Sequence, residues 1–525
     1  MSDETTIVHK KFVDQYHDSV SLMQLSATLC KVPGVDEASA VMATEGNLKL
    51  IADAGLLSGI EPVPNELLVV IRGDADAVAE AMDIAEASLD RKVSGETGDN
   101  VELTPPRGIE MALDQMAEAN LALISTPGEY AAAETLKALR LGLNAMVFSD
   151  NVDLADELML KRFARDHDLL VMGPDCGTAI VNGVPLGFAN FVRRGPIGVV
   201  AASGTGLQQV TCLIDRLGQG ITQAIGTGGH DLDEHIGGIT MLHGLRALEA
   251  DDETKIIVLI SKPPAPEIAD HVVDVAARAD KPTVVNFIGS QPMAKGVVEG
   301  RQHIHWARTL EDAATTAVAL ASGTEPDLEL AAESVPAEAV DAARRLTTRQ
   351  RYIRGLYSGG TFCFEALQIL GTKLGTVYSN TPLREHCRLT NPWQSRGHTL
   401  IDLGDDEFTR GRPHPIIDHR LRNERLLEES ADPDVGVILF DVVLGYGAHD
   451  DPVEEMVPVL WKAMGNADKV GRNVVFVASV CGTENDPQNL ARQEAALRQA
   501  KVLLANSNAQ AVRLAASVIE RATVG

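Results

Sequence analysis

Aromatic residues make up only 4% of this 525-residue chain, too few to build base-stacking surfaces. Positive charge is also short: 46 Lys and Arg stand against 74 Asp and Glu, a formal net charge of −28. A surface of that sign repels nucleic acid and anionic lipid, so neither is an expected partner. No stretch of about eighteen uncharged apolar residues occurs, which excludes a membrane-spanning helix. Met1 to Lys10 is polar, without the apolar run of a secretion signal. The six cysteines (Cys30, Cys176, Cys212, Cys363, Cys387 and Cys481) lie far apart with no C-x-x-C pair. That spacing argues against a zinc or disulfide framework and for a reducing, cytoplasmic setting. No metal-ligand spacing stands out, and no metal is expected.

What remains is ordinary α/β material, 45% hydrophobic and 23% charged, in a chain too long for one hydrophobic core. Residues 1–95 read as a small α+β module. Leu22, Leu25 and Leu29 have helical spacing, and a strand at 38–42, a helix at 45–54, a strand at 67–71 and a helix at 74–89 follow. Its shape is similar to ACT-like modules that bind small amino-acid-like ligands. A polar linker at 96–119 contains a Pro-Pro pair. From 120 the rhythm becomes β-α-β, apolar strands alternating with amphipathic helices, which implies a parallel doubly wound sheet. The expected order is a Rossmann-like lobe (120–194), a lobe at 195–322, a linker at 323–349 and a last lobe at 350–525.

The last two lobes read as an internal repeat of flavodoxin-like units. IGVVAASGTGLQQV, IGTGGHDLDEHIGG and EADDETKIIVLISKPP in the first are matched in order by IRGLYSGGTFCFEA, IDLGDDEFTRGRPHP and SADPDVGVILFDVVLG in the second. The second copy carries extra residues between about Thr372 and His398.

Each copy has a Gly-rich turn between a strand and a helix: Ser203-Gly204-Thr205-Gly206, and Ser358-Gly359-Gly360-Thr361. The first amides of a helix lack intrahelical partners and carry its positive pole, and glycine lets an anion approach closely. Both turns are candidate phosphate sites, although a Ser N-cap beside Gly also serves structure alone. Asp175 and Cys176, in Gly173-Pro174-Asp175-Cys176-Gly177, sit at the ligand edge expected for a parallel sheet. Cys176 is a substrate contact or a buried thiol, with no obvious His and Asp pair near it in sequence to make it a nucleophile. Gly228, Gly229 and His230 form another strand-end turn, with His230 a general acid–base candidate or a surface residue. Its second-lobe counterpart is Gly404-Asp405-Asp406, followed by Arg410, Arg412 and His414. These cations suit a bound oxyanion, or a salt-bridged loop against Asp405, Asp406 and Glu407. Lys262, in Lys262-Pro263-Pro264, anchors a ligand or ends a strand in a rigid turn.

Together these residues resemble the succinyl-CoA synthetase superfamily of NDP-forming acyl-CoA synthetases. The lobe at 120–194 resembles that family's CoA-binding lobe, with GPDCGT where the family has a GPNCPG-type loop; SGTG opens the helix that faces its phosphohistidine, and GTGGHDLDEH…DDETKIIVLISKPP follows the GIGGDP…DPETKAIVLIGE segment. Within the superfamily, DSVSLM, SDN, MGPDCGT, SGTG, SKPP, GGT, IDLGDD and GRPHP resemble FdrA-type proteins along nearly the whole chain. The departures are informative. No ATP-grasp domain is present, and GSQPMAKGVVEG replaces the GHAGA-like phosphohistidine segment after the strand Thr283 to Ile288. The resemblance therefore implies a substrate already activated as carbamoyl or acyl phosphate, with no required cofactor and CoA a doubtful ligand. It implies a subunit of an oxamate-type carbamoyltransferase of allantoin breakdown, interconverting oxamate plus carbamoyl phosphate with oxalurate plus phosphate. The two Gly turns would hold phosphate. His230, Arg410, Arg412 and His414 would act in catalysis, and Asp175, Cys176, Gly228, Gly229, Asp405, Asp406 and Lys262 would touch substrate. Small anionic substrates and further subunits of a hetero-oligomer are the expected partners. An acyl-CoA synthetase subunit, or a metabolite-sensing scaffold, are the alternatives.

Overall fold

The structure is a computed structural model that describes residues 6–13, 15–57, 66–91, 106–290, 303–325, 337–409 and 412–524. They form two compact units: 1–152 with 406–418, and 153–405 with 419–525.

In the first unit, strands β1 (Thr6–Phe12), β2 (Val35–Met42) and β3 (Leu67–Gly73) form an antiparallel sheet in the order β1-β3-β2. Helices α1 (Ser19–Leu29), α2 (Glu45–Asp53) and α3 (Ala75–Arg91) accompany it. β3 is central and buried on both faces, because its side chains alternate between two cores. Leu67, Val69 and Ile71 pack with Leu22, Leu25, Leu29, Val78 and Ala81. Leu68 and Val70 pack with Ile51 and Leu56 on the other side. β1 was not anticipated, since three of its seven residues are His or Lys. Edge strands tolerate such charge. Within the stretch expected to be a linker, Ile109–Gln115 forms a short helix, α4, with no buried residue. A parallel pair follows, β4 (Leu121–Ile124) and β5 (Asn144–Val147), with α5 (Gly128–Arg140) between them.

The second unit opens with α6 (Leu154–Asp166), β6 (Val171–Met172) and the hairpin β7 (Thr178–Val181) and β8 (Val184–Gly187). Two parallel sheets follow. The first runs β9 (Arg194–Ala202), α7 (Gly204–Arg216), β10 (Ile221–Gly226), α8 (Ile239–Ala250), β11 (Ile256–Ser261), α9 (Pro266–Ala276), β12 (Thr283–Phe287), β13 (Ile304–Trp306) and α10 (Leu310–Ala321). Its spatial order is β13-β12-β11-β9-β10, extended by β7 and β8. After α11 (Ala337–Ala343) the second runs β14 (Tyr352–Tyr357), α12 (Gly360–Lys373), β15 (Val377–Ser379) and β16 (His398–Asp402). The short helix α13 (Asp406–Thr409) belongs to the first unit. Then come α14 (Arg420–Ala431), β17 (Val435–Val443), α15 (Pro452–Lys469), β18 (Val475–Cys481), α16 (Leu490–Gln499), β19 (Leu503–Ala505) and α17 (Asn508–Val524).

The second sheet's order is β15-β16-β14-β17-β18-β19. With β15 set aside as an extra edge strand, both sheets have the 2-1-3-4-5 order of flavodoxin-like folds, with the switch point beside the first strand. β11, β17 and β18 are buried at every residue, as sheets covered on both faces require. The sheets' helices pack on each other through α7 and α12.

Buried charge fixes the edge of the first sheet. Lys161 on α6 is fully buried, with its ammonium 2.7 Å from Asp231 Oδ1, 2.8 Å from Glu157 Oε1 and 2.9 Å from the Thr227 carbonyl. Asp231 also accepts from the amides of Thr240 and Met241, at 3.1 and 2.8 Å, and so caps α8. Removing one partner of such a cluster leaves an uncompensated buried charge. Lys161→Met should cost about 3–5 kcal/mol, read as a lower urea midpoint; a loss within about 0.5 kcal/mol, the surface-substitution range, would contradict this account.

Candidate active site

The two Gly turns meet. Ser203 caps α7 by accepting from the Gly206 amide at 3.0 Å, and its hydroxyl stands 2.6 Å from the Thr361 hydroxyl at the start of α12. A Cβ added to Gly359 would lie 2.9 Å from Thr205 Cγ2, and one on Gly206 only 3.1 Å from Thr361 Cγ2. Two helix N-termini, both positive poles, are thus pressed together in a buried setting.

The repeats treat that pole differently. In the second lobe, Asp441 on β17 accepts from the amides of Ser358 and Gly359, at 2.7 and 2.9 Å. Fully buried Arg422 donates to the Ser358 hydroxyl at 2.7 Å and to the Asp441 carbonyl at 2.6 Å. The second turn therefore already holds an anion, supplied by the chain. Its glycine serves a close approach too, since a Cβ on Gly360 would fall 2.4 Å from Asp402 Oδ2. In the first lobe, Ser261 pairs with Ala202, the residue before the turn, and so occupies the place of Asp441. Among the described residues, no hydrogen bond engages the amides of Gly204 or Thr205. Lys262 follows Ser261 and makes no ion pair among the described residues, yet its charge reaches both His230 and Asp402.

The remaining candidates separate into three groups. His230 is half-exposed beside buried Glu157, with 3.6 Å between Nδ1 and Oε2, an ion-pair rather than a hydrogen-bond separation. Glu157 raises the imidazole above its usual value, and partial burial opposes it. Asp175 faces the same turn, its Oδ2 only 3.2 Å from where a Gly229 Cβ would stand, and Gly228 (φ +86°) admits the Pro174 carbonyl. Cys176 is buried, 3.4 Å from the Gly226 carbonyl, and burial pushes its thiol up to about 12. A thiol in that state is a packing group rather than a nucleophile.

In the first unit, Arg412 lies 3.9 Å from Glu37 of β2, and His414 Nδ1 accepts from the Ile416 amide at 3.2 Å. Asp406 starts α13, and its charge acts on Asp150. Arg410 lies outside the described residues, whereas Asp405 follows β16 in the second unit.

Neither Asp402 nor Asp441 was among the site residues expected from the sequence. Burial pushes Asp402 from 3.8 to about 7, with Lys262 and the Gly404 amide (2.9 Å) pulling against it. Burial likewise raises Asp441. The available signal was an Asp inside the otherwise apolar run VGVILFDVV, because a charge there must find a buried partner.

Three family models match the chain. A CoA-ligase model covers residues 356–518, a CoA-binding-domain model covers 193–289, and residues 1–105 match the AllF heavy metal-associated domain. The CoA-binding match thus falls on the lobe built around β9, whereas the sequence had suggested that role for 120–194. The chain is 43% identical over 508 residues to the uncharacterized protein YahF of Escherichia coli (strain K12), across 96% of this chain and 97% of that one. It is 28% identical over 184 residues to the ADP-forming succinate–CoA ligase subunit alpha of Staphylococcus aureus (strain Mu50), across 34% of this chain and 59% of that one. Among solved structures, it aligns with the dinucleotide-forming acetyl-coenzyme A synthetase 1 of Ca. Korarchaeum cryptofilum at a TM-score of 0.34 and 16% identity, covering 82% of this chain and 88% of that one. The matched models define a CoA-ligase-type α/β protein of the acyl-CoA synthetase superfamily, and within it the chain belongs to the family of YahF.

The name of the N-terminal model points to a heavy metal, and the residues present do not fit one. Cys30 is the only cysteine in residues 1–105, and its buried thiol donates to the Ala38 carbonyl at 3.6 Å. No group of three His, Cys, Asp or Glu suited to a metal occurs among the described residues. Nor is any described helix long and apolar enough to cross a membrane.

The raised Asp402 has a consequence for stability. Its folded value lies above its unfolded one, so its contribution is complete below pH 4 and is lost as pH rises through about 7. Glu365, also buried and pushed up to about 7, acts in the same direction. Denaturant midpoints should fall between pH 5 and pH 8, and Asp402→Asn should flatten that slope by an amount on the order of 1–3 kcal/mol. An unchanged slope in the variant would show that Asp402 is ionised throughout.

Proposed function

We propose that this chain is a subunit of an acyl-CoA-synthetase-type enzyme that transfers an acyl group from an acyl phosphate to CoA. The phosphate would be held by the first Gly turn alone. One observation carries the reading: the amides of Gly204 and Thr205 lack an internal anion, whereas Asp441 supplies one to the second turn. Phosphate at the first turn would take the place that Asp441 fills in the repeat. Lys262 would balance its charge, and His230, held near Glu157, would give or take the proton at its imidazole. Amides already aimed at the phosphate stabilise charge as it develops on the leaving group, without reorganisation at the moment of reaction. The CoA-ligase and CoA-binding matches support CoA as the acceptor.

Carbamoyl transfer is the second reading. Gly289-Ser290-Gln291 stands where a phosphate-carrying histidine belongs in the synthetases, which favours a donor that arrives activated. Carbamoyl phosphate is such a donor, and the FdrA-type motifs, with oxamate as acceptor, support it. In this reading too, the phosphate would sit at the first turn.

Gly204→Pro is a selective probe. Proline is tolerated at the first helical position, and Ser203 already has the extended backbone (φ −170°, ψ 110°) that a following proline requires. The variant deletes one amide donor and leaves the helix in place. Acetyl phosphate or carbamoyl phosphate at about 100 times Kd should stabilise the wild-type chain by about 2.7 kcal/mol. Gly204→Pro and Lys262→Met should each weaken that effect at least tenfold in ligand concentration. Undiminished stabilisation in both variants would remove the phosphate from this turn. Acetyl-CoA formation against phosphate release from carbamoyl phosphate then separates the two readings.

A further inference from the structure

The extra residues of the second repeat have an architectural result that the phosphate site does not use. They line one side of a half-open cavity of about 410 Å³ in the second unit, a volume within the range of small-molecule sites. One wall is the ligand edge of the first sheet, with Pro263 just after β11 and Ser290 just after β12. The facing wall is α12, and the third comprises β15 and the loop after it, which contribute Val377, Leu383 and Arg384. Gln368 on α12 ties two walls together by accepting from the Gly289 amide at 2.9 Å.

The lining is chemically selective. In a chain with 74 acidic residues, no Asp or Glu lines this cavity among the described residues, and the one charged lining group among them is Arg384. Arg384 makes no side-chain hydrogen bond or ion pair among the described residues. Its neighbour Arg388, in contrast, is neutralised by Glu385 at 2.6 Å. Pro263, Leu367, Val377 and Leu383 line the cavity together with polar Ser290, Gln368 and Thr372. An exposed guanidinium beside a lining of mixed polarity suits a carboxylate that carries a short carbon skeleton. The cavity is also kept open by glycine: a Cβ on helical Gly371 would meet nothing within 4 Å.

We propose that this cavity binds a small organic carboxylate, with Arg384 as its anion-recognising residue. This deepens the reading above by assigning a substrate's carbon skeleton to it, and rests on that reading only for the ligand's role in transfer, not for its binding. Lys262 immediately precedes Pro263, so a ligand seated here lies beside the residue expected to balance the phosphate.

The test uses the full chain, with butyrate and succinate as probes and butyramide as the uncharged control, read by ligand-observed saturation-transfer NMR. Gly371→Leu projects into the cavity from a position where an added Cβ meets nothing within 4 Å. It should retain the wild-type melting temperature and circular dichroism spectrum, and lose the carboxylate signal. Arg384→Gln should weaken carboxylate binding at least tenfold, and butyramide should bind neither form. Absence of any carboxylate signal with the wild-type chain overturns the proposal, as does a signal that survives Gly371→Leu. Loss in Gly371→Leu with full retention in Arg384→Gln overturns the carboxylate assignment. Stabilisation by inorganic phosphate, measured in the same two variants, should be unchanged. Its presence or absence in the wild-type chain reports separately on the first Gly turn.

Discussion

Two helix N-termini held face to face dominate the electrostatics of the second unit. α7 and α12 each present unpaired amides and a positive pole, and the Ser203–Thr361 hydroxyl contact at 2.6 Å leaves no water between them. Like poles at that range repel unless an anion lies close by. The second lobe carries its own anion: Asp441 takes two amides of its turn, and Arg422 fastens that arrangement to β17. Asp402 presses on Gly360 from the neighbouring strand. The raised values of both carboxylates follow from their burial, and the glycines of this turn follow from the carboxylates' need for space.

The first lobe shares the order of its five core strands and the helix after the turn, but has a Ser203 side-chain cap where α12 has Gly359, and Ser261 where the second has Asp441. A single side chain therefore distinguishes a turn closed by its own chain from a turn that is open. The buried Lys161–Asp231 cluster holds the adjoining edge in place, so that Gly228, Gly229 and His230 keep their positions beside the opening. The duplicated fold thus holds one turn closed by its own carboxylate and one without such a partner among the described residues.

Much of this was legible in the sequence, and the limits have a physical pattern. The helices expected at 45–54 and 74–89 lie within two residues of the observed Glu45–Asp53 and Ala75–Arg91, because apolar periodicity and turn residues are local signals. Both Gly turns and the ordered repeat were legible for the same reason. The partners were not. Asp441 reaches amides 83 residues away, and Lys161 reaches an Asp 70 residues away. Arg412 has Glu37 as its near neighbour, although its own segment offers Asp405, Asp406 and Glu407. Pairings of this kind are decided by topology, which composition and spacing do not encode. β1 escaped notice because an edge strand with His and Lys lacks the apolar alternation of a core strand.

With Ser261 in place of a carboxylate, an anion held at the first turn would be a structural part of the molecule. Without one, the first turn's pole has no internal counterpart to Asp441; with one, the two turns would be electrostatically alike. Occupancy and lobe cohesion would then be the same quantity measured in two ways. The anion-free chain would be the form more exposed to proteolysis, because its two lobes would be held together less firmly.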